Sequence, residues 1–373
     1  MAPKIVTLDI QHFRALRQLK IDRIGRVNLL TGRNNTGKSS VLEALRILAS
    51  DADPAIINSI LRYREEDLGN TEESPSIAAE GLFQLASLFH GFPRFSSEID
   101  PIKIASSGGY RPMRLSIKVG LFSEVREPDG TRKLVPRQQT LLDDDEGLPA
   151  LVIEVGETRR ILSIDYPRRY ASRGMLRTDM TGDSRLPCVY VSPYGGEQTA
   201  TLGKLWDKIA LSDLEKDVVD ALRIIDPVIS AVSMVGGEGP RQSRTAIVRT
   251  AGFPRPVPLR SFGDGLNRLF SIIVSLVNAK DGLLLIDEFE NGMHYTVQED
   301  AWRLIFKLAG RLDIQVVATT HSWDTVLAFQ KAAADDPEEG ALIRLSRKGE
   351  EIVPTVFDED ELAVVTRNEI EVR

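Results

Sequence analysis

The 373-residue chain is short of cysteine, of long apolar runs and of net positive charge, and each shortage removes a class of protein. Its one cysteine, Cys188, excludes an internal disulfide and any zinc site built on several thiolates. Cys188 lies in the apolar run Cys188-Val189-Tyr190-Val191, where a small core residue is expected. No stretch approaches the ~18 consecutive apolar residues of a membrane span. Nothing behind Met1-Ala2-Pro3-Lys4 has the length of a signal peptide's apolar segment. The expectation is a cytoplasmic protein that meets a membrane only through a partner. A formal net charge of -7 argues against a basic coat protein for nucleic acid. Sustained heptads, internal repeats and low-complexity tracts are lacking too, which excludes a long coiled coil. What the chain does have is 42% hydrophobic residues, enough for a large core, and a length that suggests roughly two domains.

Periodicity sketches the order of elements. Lys4 to Ile10 and Arg26 to Leu30 read as strands, and from Ser39 the apolar residues Val41, Leu42, Leu45 and Leu48 fall on one helical face. Ile56 to Tyr63 and Ile77 to Phe89 read as helices, and Ser106-Ser107-Gly108-Gly109 as a loop. The period then shifts towards two in Leu115–Phe122, Leu151–Val155, Arg160–Asp165 and Cys188–Val191, which together predict an antiparallel sheet with long connections. Helices are expected at Gln198–Ile209 and Leu214–Ile225, and strands at Ser230–Val235 and Thr245–Thr250. From Gly265 onward helix and strand alternate, and the strands Leu283–Ile286 and Ile314–Ala318 are almost wholly apolar. That alternation predicts an α/β fold with a mainly parallel sheet covered by helices.

Three segments carry chemistry. Gly32-Arg33-Asn34-Asn35-Thr36-Gly37-Lys38-Ser39 satisfies G-x-x-x-x-G-K-[ST] between an apolar strand and an amphipathic helix. Its glycines let backbone N–H groups turn inward around phosphates, beside the positive end of the new helix. Lys38 is expected on the β- and γ-phosphates and the Ser39 hydroxyl on Mg²⁺. Leu283-Leu284-Leu285-Ile286-Asp287-Glu288 ends a buried strand in two carboxylates, Asp287 for the metal and Glu288 to polarise the attacking water. Val316-Val317-Ala318-Thr319-Thr320-His321 ends a further strand in a histidine, read either as a γ-phosphate contact or as a structural histidine.

Arg260-Ser261-Phe262-Gly263-Asp264-Gly265-Leu266-Asn267-Arg268, just upstream of the acidic strand, resembles the signature motif of ABC ATPases. The resemblance implies that Ser261 and Gly263 act in trans, on the γ-phosphate held by a second copy. Ile10-Gln11-His12-Phe13-Arg14, Glu288-Phe289-Glu290-Asn291-Gly292-Met293-His294 and Thr319-Thr320-His321-Ser322 are similar to the SMC, RecF and OLD-like group within that superfamily. By that resemblance Arg14 contacts nucleotide phosphates, unless it is a plain surface arginine, and His294 lies at the dimer interface. The nucleotide set becomes Gly32, Asn34, Asn35, Thr36, Gly37, Lys38, Ser39, Ser40, Arg14, Ser261, Gly263 and Gly265, with ATP and Mg²⁺ as cofactors. Gln198 is the nearest candidate for the metal-contacting Q-loop glutamine. The implied division is a first lobe in residues 1–50 and 112–195, a helical insertion in 51–111, a connecting segment in 196–254, and a second lobe in 255–373. The stretch from Ser322 to Arg373 is too short for the Toprim nuclease domain of OLD proteins, so the expectation is a stand-alone ATPase with a separate effector. Such ATPases are associated with antiphage defence; a RecF-like DNA-repair protein or a slowly hydrolysing scaffold are the alternatives.

Charge patterns leave DNA open as a partner. Arg159, Arg160, Arg168, Arg169, Arg173 and Arg177 form one basic stretch, and Arg241, Arg244, Arg249, Arg255 and Arg260 a second. Either could line a phosphate groove or be a solvated loop. Asp143-Asp144-Asp145-Glu146 and Asp358-Glu359-Asp360-Glu361 read as a solvated loop and a solvated helix start, not as metal sites.

Overall fold

The computed structural model describes residues 2–64, 85–93, 99–109, 111–126, 132–136, 148–163, 185–193, 198–236, 244–335, 339–357 and 361. In chain order, β1 (Leu8–Phe13), β2 (Leu16–Ile21) and β3 (Val27–Thr31) lead to α1 (Lys38–Ala49) and α2 (Pro54–Tyr63). Next come β4 (Ile102–Ser106), β5 (Met113–Arg126), β6 (Arg132–Pro136), β7 (Leu148–Val155), β8 (Thr158–Ser163) and β9 (Cys188–Val191). Helices α3 (Gln198–Ile209) and α4 (Asp213–Leu222) precede β10 (Ile229–Val235), β11 (Thr245–Thr250) and β12 (Val257–Pro258). The last part holds a 3₁₀ turn (Leu259–Phe262), α5 (Asp264–Asn278), β13 (Leu283–Ile286), α6 (Tyr295–Leu312), β14 (Gln315–Thr319), α7 (Trp323–Ala333), β15 (Gly340–Lys348) and β16 (Glu351–Phe357).

A six-stranded sheet in the order β16-β15-β3-β14-β13-β9 forms the centre, parallel throughout except for the β15–β16 hairpin. Its inner strands are apolar on both faces because both are covered. Leu284 and Ile286 of β13 join the core shared with α5, α6 and α7, while Leu283 and Leu285 point into the opposite core, with α1. The second core is closed by an antiparallel sheet in the order β2-β1-β4-β5-β7-β8, with β6 on β5. The short sheet β10-β11-β12 packs with α3 and α4 into the first core.

The α/β class with a parallel sheet, an antiparallel part and flanking helices is as the sequence implies, with three corrections. Cys188–Val191, expected in the antiparallel sheet, is the parallel edge strand β9, in register with β13 through Cys188↔Leu283 and Val191↔Ile286. A four-residue apolar run has no pattern to declare which sheet it joins. Within 51–111, expected as a helical insertion, Ile102–Ser106 is instead the strand β4, laid between β1 and β5 with alternating burial. The hairpin β15–β16 was not foreseen, and it brings chain from the far end of the sequence to the edge of β3. Most of the helix expected at Ile77–Phe89 lies outside the described residues, as do Asp143–Glu146 and Asp358–Asp360. Among the described residues no helix is long and apolar enough to cross a membrane.

Candidate nucleotide site

The site lies where β3, β13 and β14 end, the edge at which parallel α/β sheets present their ligand crevice. After β3 the chain turns through Gly32 (φ 141), Asn35 (φ 61) and Gly37 (φ 83) into the start of α1. Two of these turns leave no room for a side chain. A Cβ on Gly32 would stand 2.3 Å from the Leu345 carbonyl of β15, and one on Gly37 would stand 2.7 Å from Leu16 Cδ2. Thr36 is buried and its hydroxyl donates to the Arg33 carbonyl at 2.8 Å, while Arg33, Asn34 and Asn35 are exposed. Ser40 is buried behind the loop.

Lys38 Nζ donates to the loop's own carbonyls, Gly32 O at 2.6 Å and Arg33 O at 2.9 Å. Burial lowers its pKa, against the opposing pull of Asp287, Glu290 and Glu288. Asp287 is the most heavily held group. Its Oδ1 accepts from Thr319 Oγ1 at 2.6 Å and Ser39 Oγ at 3.2 Å, and its Oδ2 from the Tyr190 hydroxyl at 3.3 Å. Burial above all, with the Asp287 charge adding to it, pushes the Tyr190 pKa up, so the phenol stays a donor. Ser39 and Asp287 thus offer adjacent hard oxygens, a donor set that fits Mg²⁺.

Glu288 adopts a left-handed conformation (φ 50) and is held from three sides. Its backbone N–H donates to Thr319 Oγ1 at 2.8 Å, its Oε2 accepts from Asn291 Nδ2 at 2.7 Å, and its carbonyl accepts from Arg268. Arg268, buried on α5, bonds Ser192 O at 2.6 Å, Asp287 O at 2.8 Å and Glu288 O at 2.9 Å. It therefore ties the signature helix to the ends of β9 and β13. Burial lowers its pKa, opposed by Asp287, Glu290 and Glu288. His321 is exposed, with its backbone N–H at 2.9 Å and its Nδ1 at 3.1 Å from Glu290 Oε1.

The turn before α5, expected as the signature motif, lies open. Ser261 and Gly263 are exposed, and Gly263 (φ 97) has nothing within 4 Å of the place a Cβ would occupy. Gly265 is different: a Cβ there would meet Gly292 O at 3.0 Å, so it packs the signature helix against the segment after Glu288. His294 caps α6 and lies against the exposed Tyr295 ring at 4.4 Å.

Arg14 is not the plain surface arginine of the alternative reading. It is buried in an ion pair with Glu43, at 2.5 Å, and its backbone is left-handed (φ 51) in the β1–β2 turn. Its guanidinium meets a carboxylate of α1 where a nucleotide phosphate was implied. Gln198 opens α3, but its side chain lies outside the described residues. So do Arg168, Arg169, Arg173, Arg177 and Arg241. Among the remaining basic residues Arg160 bonds the Asp51 carbonyl, Arg159 faces Glu154, and Arg244 bonds Asp207, Gly203 O and Met234 O. Cys188 is a thiol pushed up to about 12 by burial, in keeping with a packing role. Arg268, Glu290, Asn291 and Thr319 fall inside the motifs read from the sequence, though none has a role there, and Tyr190 has no local signal at all.

Two family models match, "AAA ATPase domain" over residues 4–104 and "AAA domain, putative AbiEii toxin, Type IV TA system" over residues 196–328. The chain is 21% identical over 388 residues to an ATP/GTP phosphatase of Helicobacter pylori, covering 98% of each. A shorter match of 46 residues, 46% identical, links 12% of this chain to 21% of an uncharacterised protein of Methanocaldococcus jannaschii. Among solved structures it is similar to an SMC head bound to the C-winged helix domain of ScpA, with a TM-score of 0.54 at 10% identity, covering 97% of this chain and 100% of that one. At such identity the likeness concerns the fold.

Proposed function

We propose, from the premise that the chain is an SMC- and ABC-like ATPase, that two copies close around two ATP molecules and that hydrolysis parts them again. The observation that carries this reading is the exposed signature turn. Ser261 and the uncovered Gly263 face solvent, while the P-loop, Asp287 and Glu288 form a separate cluster built from other strand ends. A second copy can bring its signature turn to the γ-phosphate that the first copy holds.

In this scheme Lys38 leaves the loop carbonyls to meet the β- and γ-phosphates, and the N–H groups at the start of α1 surround them. Bound Mg²⁺, held by Ser39 and Asp287, supplies positive charge to the phosphate oxygens. Glu288, steadied by Asn291, takes the proton of the attacking water as the water's oxygen bonds to the γ-phosphorus, and the bond to the leaving ADP oxygen breaks. His321 and the partner's signature turn respond to the γ-phosphate. ATP at 100 times its dissociation constant for the closed form favours that form by about 2.7 kcal/mol per site. Loss of phosphate removes the link.

The output is this motion, passed to a separate effector protein. The SMC head of similar fold is bound to a ScpA domain, which supports a protein partner for this chain too. DNA stays open as a partner: Arg160 and Arg244 are engaged within the chain, while Arg249, Arg255 and Arg260 of the second basic stretch are exposed. Defence against phage is the pathway that the motif resemblance to OLD-like ATPases suggests.

Light scattering with and without ATP tests the proposal. Glu288→Gln should slow turnover about 10²–10⁴-fold and accumulate an ATP-bound dimer. Lys38→Ala should abolish nucleotide binding and stay monomeric with ATP. Dimers that form equally without nucleotide, together with unchanged turnover in Glu288→Gln, would defeat it.

A further inference from the structure

At the opposite end of α1 from the P-loop lies a cavity of about 280 Å³, between the α1–α2 connection and the end of the antiparallel sheet where β5 and β8 begin and β7 finishes. That volume is near the lower end of the range for small-molecule pockets, about 300–1,000 Å³. Its lining includes apolar Leu48, Leu115 and Val155, and among the described lining residues the charged ones are Arg111, Arg114, Arg160 and Asp51. An apolar lining with a few charged groups is the pattern of a site for a small organic ion.

The hydrogen bonding around it is incomplete. Arg160 donates through Nη2 to the Asp51 carbonyl, but its Nε is buried without a partner. Close by, Arg185 pairs with Asp53 at 2.7 Å through Nη1, while its Nε and Nη2 are buried without partners. Burial lowers the Arg160 pKa, Asp51 opposes this, Arg185 adds to the lowering and Asp53 again opposes it. Among the described residues, Arg160 and Arg185 thus sit near Asp51, Asp53 and the negative end of α1 with part of their donor capacity unmet. Buried donors left unmade call for a partner, and a guanidinium's planar fork matches the oxygens of phosphate.

We propose that this cavity binds a compact organic phosphate of mononucleotide size, and that the ligand adjusts the ATP site through α1. The connection is direct. Asp51 and Ala52, both left-handed (φ 53 and 52), form the turn just after α1 and its cap Ser50, and Arg160 holds the Asp51 carbonyl from the β8 side. A ligand that draws Arg160 towards itself loosens that hold on the helix whose first residue is Lys38. The binding claim stands apart from the ATPase reading; only the effect on turnover rests on it.

Calorimetry with AMP, ribose 5-phosphate and inorganic phosphate on the full-length Lys38→Ala protein tests the cavity with the P-loop disabled. AMP and ribose 5-phosphate should bind, inorganic phosphate more weakly, and Arg114→Glu in that background should weaken AMP about tenfold, the loss of one charge-assisted contact. Arg114 is exposed, so its replacement leaves the fold undisturbed; Arg160→Gln serves as the second variant, checked by its melting temperature. No binding of any of the three probes, or an AMP affinity that Arg114→Glu leaves unchanged, overturns the site. With the P-loop intact, AMP should change the ATPase rate of the parent and not of Arg114→Glu; equal responses overturn the regulatory half. A parent with no ATPase activity would count against the proposed function while leaving the calorimetry to decide on the cavity.

Discussion

At the scale of the residue, the chemistry gathers around carboxylates that are each held by a different neighbour. Glu290 is the one whose role is least obvious: Oε1 takes both the His321 backbone N–H and its ring, while Oε2 is buried with no partner among the described residues. A buried acceptor of this kind aims the histidine at the cost of its own desolvation. Glu290→Gln should lower kcat about 10–100-fold with KM for ATP little changed, because the geometry matters in the transition state more than in binding. His321→Ala should do the same, and the double variant should be no worse than the weaker single one. Steady-state ATPase measurements decide it, and strictly additive losses would show that the two act separately. Much of this site was legible in the sequence because Gly32 to Ser39 and Asp287-Glu288 act through adjacent positions. Tyr190 and Thr319 were not, since nothing local to either says that strands β9 and β14 bring both hydroxyls to Asp287.

At the scale of the element, α5, the helix proposed to carry the signature motif, is also a buttress. Arg268 reaches three carbonyls at the ends of β9 and β13, and Gly265 lets the helix start close on Gly292. Arg268→Met should cost about 3 kcal/mol, since it leaves three acceptors unmet in a buried place, as read from urea unfolding. Gly265→Ala should cost less in stability, about 1 kcal/mol, because one carbonyl must give by a few tenths of an ångström. A second junction is Asp313, in the left-handed turn between α6 and β14, which is paired with Lys4 and with Arg26 Nη1 at 3.2 Å. Burial raises its pKa, but the hydrogen bonds and charges of Lys4 and Arg26 outweigh burial and hold it below the usual carboxylate value. A depressed carboxylate stabilises the fold above its unfolded pKa, about 3.9, and that stability fades as pH falls through the lower folded value. The stability gap between the parent and Asp313→Asn should therefore be full at pH 7 and shrink below about pH 4; a gap that persists at pH 2 in urea titrations would refute the assignment. Elements with long periodic faces, such as α1 and α5, could be read in advance. The direction of β9 and the place of β15 could not, because pairing is a property of two strands and the sequence prints only one at a time.

At the scale of the whole molecule, the parallel sheet places first and last parts of the chain side by side: β3 lies between β15 and β14, and Leu345 closes against Gly32. On the proposed scheme the P-loop cluster and the turn at Ser261 do different jobs, and two-fold symmetry would let each copy complete the other's site. This makes a sharp prediction about mixtures of inactive proteins. A Lys38→Ala protomer keeps a sound signature turn, and a Ser261→Arg protomer keeps a sound P-loop. If each site is shared between copies, a mixed dimer has one site with both defects and one with none. An equal mixture of the two, in which half the dimers are mixed, should recover up to about a quarter of the parent's ATPase rate, although each variant alone is inactive. If the P-loop worked with its own chain's Ser261, every site in the mixture would carry one defect and no activity would return. Assaying the mixture against each variant alone thus tests the division of labour between copies directly, whatever effector that motion drives.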